Sequence, residues 1–254
     1  MERPAAVLFD IGSTLWSSPA EDPDALARCY GRGREIIGDA GLAAPPMDTL
    51  IEAVEGYFAE WEDVWRSAPG RVEQPATTEY VEQALARLDL KLDAKALAAF
   101  TAAILDTSVY TAIVEPPEPE NPAALRDLRS LGLRLGCVSN AFMPAAVLHR
   151  ILDARGLGEH CEFTISSCEF GIRKPDRRIY EEALRVLGLP GPAVVFVGDR
   201  VDADVEGPAA VGMRTILSHQ YRQEDPGKGA VQPDQVVGHL SDLVSHLRIL
   251  REGV

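Results

Sequence analysis

Four short polar clusters in this sequence carry residue types that could do chemistry together. Asp10 follows the apolar run AAVLF, within FDIGSTL. Ser139 and Asn140 close a second apolar run, within CVSN, and Lys174 lies in GIRKPD. The segment GDRVDAD supplies Asp199, Asp202 and Asp204. A carboxylate can act as a covalent nucleophile and divide one hard displacement into two easier ones. Its own charge repels an incoming phosphate dianion. A divalent cation between Asp10 and Asp199 would remove that repulsion and clamp a phosphate oxygen. Lys174 adds a point charge and Ser139 a hydroxyl donor. Magnesium suits such an all-oxygen site, with few carboxylates and room for water and phosphate. The chemistry these parts could perform is covalent phosphoryl transfer.

The four clusters act together only if the chain brings them to one edge, and the surrounding pattern does so. Residues 5–9 are a short apolar run of the kind that forms a buried parallel strand. Helical spacing follows in four stretches, at about 23–40, 46–67, 76–89 and 93–113. Pro23, Pro46 and Pro75 stand near three of their starts, where a missing N–H costs nothing. The acidic, proline-rich VEPPEPENP (114–122) reads as a stiff linker. Helices at about 122–131, 144–155, 176–188 and 204–211 then alternate with strands at 133–139, 162–166, 193–198 and 214–218. A polar loop (219–235) and a closing helix (240–252) end the chain.

The expected fold is α/β: a Rossmann-like parallel sheet core with an inserted helical cap, a four-helix unit. The core is assigned to residues 1–16 and 115–254 and the cap to 17–114. Ligands of such sheets sit beyond the carboxyl ends of the strands, and the cap would close over that edge. Asp10, Ser139, Asn140 and Asp199 all stand at predicted strand ends, and Lys174 in an adjoining loop.

Composition narrows the partners. The 254 residues carry a net charge of −14, which argues against a broad nucleic-acid or anionic-membrane surface. A small-molecule phosphate ester remains acceptable, given the local positive centre at Lys174. The four cysteines, Cys29, Cys137, Cys161 and Cys168, form no C-x-x-C pair, and no histidine cluster completes a zinc site. They read as reduced, buried thiols of a cytoplasmic protein. The opening residues lack a signal-peptide pattern, and no apolar run looks long enough to span a bilayer. Nothing in the pattern sets an oligomeric state.

The order D-x-x-x-T-L, an apolar strand ending in S-N, then K-P-D, then G-D-x-x-x-x-D resembles the four motifs of the haloacid-dehalogenase-like superfamily. The inserted helical segment is similar to the cap of its first cap class. This resemblance implies Asp10 as nucleophile, with Thr14 and Ser139 as hydrogen-bonding partners and Lys174 as charge stabiliser. It implies magnesium held by Asp10, Asp199 and the main-chain carbonyl of Gly12, with Asp204 in support, and a substrate phosphate near Ser139, Asn140 and Lys174. One position departs from the pattern. Phosphatases of the family carry a second Asp two residues after the nucleophile as general acid and base, and here that position is Gly12. Family dehalogenases also lack this Asp, but their fourth motif differs from GDRVDAD and they use no metal. The expected function is magnesium-dependent hydrolysis of a small phosphate monoester through an aspartyl-phosphate. The alternatives are a metal-independent 2-haloacid dehalogenase and a nearly inert binding or regulatory protein.

Several residues carry plainer readings. Arg173 is expected to be solvated, and Asp202 to be an exposed loop or helix-start carboxylate. Tyr57, Trp61 and Trp65 repeat at helical spacing, so packing inside the four-helix unit is expected of them. Tyr180 reads as a core residue of its helix. Trp16 fits equally as a pocket wall and as packing where the chain leaves for the cap.

Overall fold

The structure, a computed structural model, describes residues 3–17, 22–68, 70–114, 118 and 120–252. Strand β1 (Ala6–Phe9) is buried along its whole length. It lies inside a parallel sheet with β2 (Arg134–Ser139), β3 (Thr164–Ser166), β4 (Val194–Gly198), β5 (Arg214–Ser218) and β6 (Gln235–Val237), in the order β3-β2-β1-β4-β5-β6. Phe9 is registered with Cys137 on one side and Val197 on the other. Asp10 therefore leaves the sheet between the carboxyl ends of β2 and β4, which run on to Ser139 and Asp199.

Alternation along β1 feeds two apolar clusters, because successive side chains point to opposite faces. Val7 and Phe9 join Leu125 and Leu128 of α5 (Glu120–Ser130), Leu148 and Ile151 of α6 (Ala145–Ala154), and Leu243 of α10 (Leu240–Glu252). Ala6 and Leu8 face Ile179, Tyr180 and Ala183 of α8 (Arg177–Leu187) on the other side. The core position expected of Tyr180 holds, and its ring meets Phe196 edge-on at 5.5 Å. All four cysteines are buried and unpaired by disulfide, as expected.

Between β1 and α5 stand four helices: α1 (Pro23–Asp39), α2 (Met47–Ser67), α3 (Thr77–Ala86) and α4 (Ala94–Val114). They pack around their own cluster, which includes Tyr30, Leu50, Val54, Val81 and Phe100. The Phe100 ring lies against Gly33, where a Cβ would come within 2.8 Å of it. α4 reaches past this cluster, and its Val109 and Ala112 join the cluster around β1.

Two expectations need correcting, and two short elements come in addition. A strand stands at 235–237, where the expected polar loop ends; three residues at a sheet edge give too short a pattern to stand out. The short helix α7 (Ser167–Phe170) follows β3 directly. The expected helix at 204–211 is a wide π-turn, Val201–Glu206, followed by the short α9 (Gly207–Ala209). Finally, α4 is long and apolar enough by length and composition to cross a membrane. It packs against α1, α3 and α6, and a helix with neighbours on several sides is apolar around most of its circumference.

If the cluster around Phe100 holds the four helices together, Phe100→Ala should cost about 3–5 kcal/mol of unfolding free energy. It should lower the denaturant midpoint at unchanged slope. A loss under about 1 kcal/mol would show that these helices are held some other way.

Candidate active site

A buried ammonium sits at the carboxyl edge of the sheet. Lys174 Nζ donates to Asp10 Oδ1 and to Asp204 Oδ1, each at 2.7 Å. Asp204 belongs to the π-turn after β4, and its Oδ2 accepts the backbone N–H groups of Asp199 (3.1 Å) and Arg200 (3.0 Å). Gly198 allows this approach, because a Cβ there would fall inside the Asp204 carboxyl group. Asp199 accepts the Thr14 hydroxyl on one oxygen and Arg222 on the other, at 3.4 Å each. Asn140 grips the Lys174 backbone: its Oδ1 accepts the Lys174 N–H at 2.8 Å and its Nδ2 donates to the Lys174 carbonyl at 3.0 Å.

Asp10, Asn140, Lys174, Asp199 and Arg222 line one side of a cavity of about 590 Å³, and α2 and α4 line the other with Glu55, Phe58, Glu62, Thr107 and Ser108. The cavity stands where the strand order turns back, since β2 and β3 lie on one side of β1 and β4 to β6 on the other. Burial and the neighbouring Asp10 push the Asp199 carboxyl up to about 6, against the pull of Lys174 and Arg222. Burial disfavours the Lys174 charge, but Asp10 and Asp204 outweigh it and hold its pKa above the usual lysine value.

The donor set fits a hard divalent cation. Asp10, Asp199 and Asp204 each place a carboxylate oxygen within 4.8 Å of the others. Three carboxylates against one buried ammonium leave negative charge that such an ion neutralises. Both Asp204 oxygens are engaged by Lys174 and by backbone N–H groups. Asp10 and Asp199 are therefore the carboxylates that would reach the ion, and Asp204 steadies their neighbours.

A model of haloacid dehalogenase-like hydrolases matches residues 4–212. This chain belongs to the haloacid dehalogenase-like hydrolase family. It is 27% identical over 247 residues to the glyceraldehyde 3-phosphate phosphatase of Methanopyrus kandleri, covering 96% of this chain and 97% of that protein. It is 36% identical over 127 residues to the human haloacid dehalogenase-like hydrolase domain-containing protein 3, a match spanning half of this chain and 49% of that one. Among solved structures, the 2-haloacid dehalogenase of Pseudomonas syringae pv. Tomato DC3000 aligns over 98% of this chain and 99% of its own, with a TM-score of 0.64 and 22% identity.

On this hydrolase fold, the residues singled out in the sequence reach the site unequally. Asp10, Gly12, Ser139, Lys174 and Asp199 all line the cavity, and Thr14 is buried behind Asp199. Asn140 lines it too, and its amide also grips the Lys174 backbone, so it helps to position the lysine. Trp16 is both wall and packing: it lines the cavity and belongs to the cluster around β1. Asp202 is half-exposed and held by Arg200 through two bonds of 3.0 and 2.8 Å, which keep its carboxyl below the usual range although burial pushes the other way.

Three outcomes differ from expectation. Arg173 is buried, not solvated, because its guanidinium stacks on Trp65 at 3.6 Å. Trp65 and Tyr80 also pack against Phe142, which follows β2, so this aromatic group extends beyond the four helices. Arg222, in the polar loop, reaches Asp199 with no local pattern to announce it.

Gly198→Ala should displace the Asp204 carboxylate and with it Lys174. Overpacking of this kind costs about 1–3 kcal/mol, so the variant should fold while its kcat falls at least tenfold. Wild-type kcat in the folded variant would show that the Asp204 contact does not hold Lys174 in place.

Proposed function

We propose that this protein hydrolyses a small phosphate monoester through an aspartyl-phosphate on Asp10, with magnesium held by Asp10, Asp199 and the Gly12 carbonyl. The observation that carries this reading is the site itself: Lys174 bonded to both Asp10 and Asp204, with the Asp199 carboxylate of an intact GDRVDAD motif beside them. The full-length likeness to a protein named as a glyceraldehyde 3-phosphate phosphatase supports the same class. Residues 17–114 serve as a cap over a core of 1–16 and 115–254, and the enzyme works in the cytoplasm.

In this reading an Asp10 oxygen attacks phosphorus, the ester P–O bond breaks, and the leaving alkoxide takes its proton from solvent water. Water then attacks the aspartyl-phosphate, releasing phosphate and restoring the carboxylate. Lys174 holds Asp10 in line and offsets its charge. Ser139 donates to a phosphoryl oxygen. A bound magnesium ion would supply charge neutralisation between Asp10 and the phosphoryl group. Asp10→Asn should keep the fold and leave no more than a trace of activity; retained turnover would sink the covalent mechanism.

The second reading, a 2-haloacid dehalogenase, draws on the solved-structure likeness, which at 22% identity speaks to fold alone. Magnesium separates the two. Excess chelator should stop turnover, and Asp199→Asn should raise the magnesium concentration needed for half-maximal rate. Full activity in chelator, with halide released from 2-chloropropionate, would favour the dehalogenase.

With Gly12 at the position of the usual second Asp, no side chain of that motif protonates the leaving alkoxide. Asp202 is tied to Arg200, so it offers no ready replacement. A Cβ at Gly12 meets nothing within 4 Å, and its φ is not in the left-handed region, so the backbone there admits a side chain. With no positioned acid and base, p-nitrophenyl phosphate should give a burst of about one p-nitrophenol per site followed by slow turnover. Gly12→Asp should speed the slow phase, up to a rough ceiling of 10²–10⁴. A linear wild-type time course, with alkyl esters cleaved as fast as aryl ones, would mean that another group moves the proton.

A further inference from the structure

Four cations line the cavity: Arg173, Lys174, Arg200 and Arg222. Three have carboxylate partners. Lys174 has Asp10 and Asp204, Arg200 has Asp202, and Arg222 has Asp199 and Glu224. Arg173 forms no ion pair among the described residues, although it is only 8% exposed. Arginine is almost never buried without a partner, since removing its charge from water is costly. Burial pulls its pKa down to about 10, so the guanidinium remains charged at neutral pH.

The side chain is nevertheless held firmly. One face stacks on Trp65 at 3.6 Å, and Nη1 donates to Gln74 Oε1 at 2.9 Å. Gln74 is fixed in turn, because the same Oε1 accepts from Ser167 Oγ at 2.5 Å and its Nε2 donates to the Ala141 carbonyl at 2.9 Å. The backbone is pinned as well: Arg173 N–H donates to Val72 O at 2.8 Å, and Gln74 N–H to Gly171 O at 2.9 Å. This bracket uses one of the five guanidinium N–H groups and no negative charge. Glu62, exposed on α2, also lines the cavity, and its charge favours the guanidinium from a distance, but no ion pair within 4.0 Å joins the two.

We infer that Arg173 receives a second anionic group of the substrate, a carboxylate or a second phosphate, while the phosphoryl group being transferred sits at Asp10 and Lys174. This rests on the phosphatase reading and narrows it: the preferred esters carry a negative charge on the alcohol portion. A planar fork with one face stacked and its remaining N–H groups unspent matches both anions through paired hydrogen bonds. The group on Arg173 is not the one cleaved, so Arg173 sets specificity and takes no part in bond making.

Three esters of similar size provide the test: 2-phosphoglycolate, ethylene glycol bisphosphate and ethyl phosphate. The wild type should prefer the first two over the third by at least tenfold in kcat/KM, chiefly through KM. The first two compared with each other tell carboxylate from phosphate. Arg173→Gln should cut that preference ratio at least tenfold, and Arg173→Lys, which keeps the charge without the fork, should retain part of it. Absence of preference in the wild type, or equal losses on all three esters in Arg173→Gln, would overturn the assignment. Failure of the phosphatase reading would look different, with none of the three esters cleaved. Binding then decides the Arg173 site: malonate should quench tryptophan fluorescence in the wild type through Trp65. An unchanged malonate titration in Arg173→Gln, or none in the wild type, would overturn it.

Discussion

Lys174 carries its charge where only 2% of its side chain meets solvent, and its two carboxylate partners are 11% and 1% exposed. Withdrawing an ammonium and two carboxylates from water costs several kcal/mol per ion, and attraction repays it only if the geometry is close and the remaining polar atoms are bonded. Both conditions are met. The two contacts are 2.7 Å, and the far oxygen of Asp204 is satisfied by two backbone N–H groups. Because Asp10, Lys174 and Asp204 come from the ends of β1, the loop after α7 and the π-turn after β4, one buried triad fixes three connections against one another. Removing either carboxylate takes from the buried ammonium one of its two charged hydrogen-bond partners.

The sheet supplies this geometry cheaply. β1 lies between β2 and β4, and parallel crossover connections bring the carboxyl ends of both neighbours to the same edge as Asp10. Glycine supplies the remaining approach. Gly198 ends β4 with no side chain, and the space it leaves is filled by the Asp204 carboxylate. A wide turn at Val201–Glu206 then brings Asp204 back toward the strand it has just left. The motif GDRVDAD thus reads as a physical sequence: a bare position, a carboxylate for the cavity, and a second carboxylate turned inward to hold the lysine.

Much of this was legible in the sequence because parallel strands announce their own ends. An apolar run that stops at Asp10, or at Ser139, locates a carboxyl edge without any knowledge of contacts. The helical unit was legible for a similar reason, since four stretches of helical spacing with prolines at their starts need no tertiary information. Arg173 was not legible. Its neighbours in sequence say loop, and only Trp65 and Gln74, roughly a hundred residues away, turn it into a buried cation. The second role of Asn140 was hidden for the same reason: that a strand-end amide also bonds the Lys174 N–H and carbonyl shows only in the folded chain. Arg222 and β6 lie in or beside a polar stretch where three residues and one charge make no periodic signal.

The long-range contacts that escaped the sequence join the helical unit to the chemistry. The loop after β2 is held from above: Phe142 packs among Phe58, Trp65 and Tyr80, the Thr77 hydroxyl donates to the Phe142 carbonyl, and Gln74 donates to the Ala141 carbonyl. The segment before Lys174 is held by the same unit, through the bridge between Glu73 and Ile172 and the stacking of Arg173 on Trp65. Both loops carry site residues, Ser139 and Asn140 on one and Lys174 on the other. The surface that encloses the cavity is therefore also part of what positions Lys174. Separating the helices from the sheet would loosen both loops together, because Gln74 alone bonds to Ala141, Ser167 and Arg173. One set of contacts thus joins the helices that line the cavity to the two loops that carry Asn140 and Lys174.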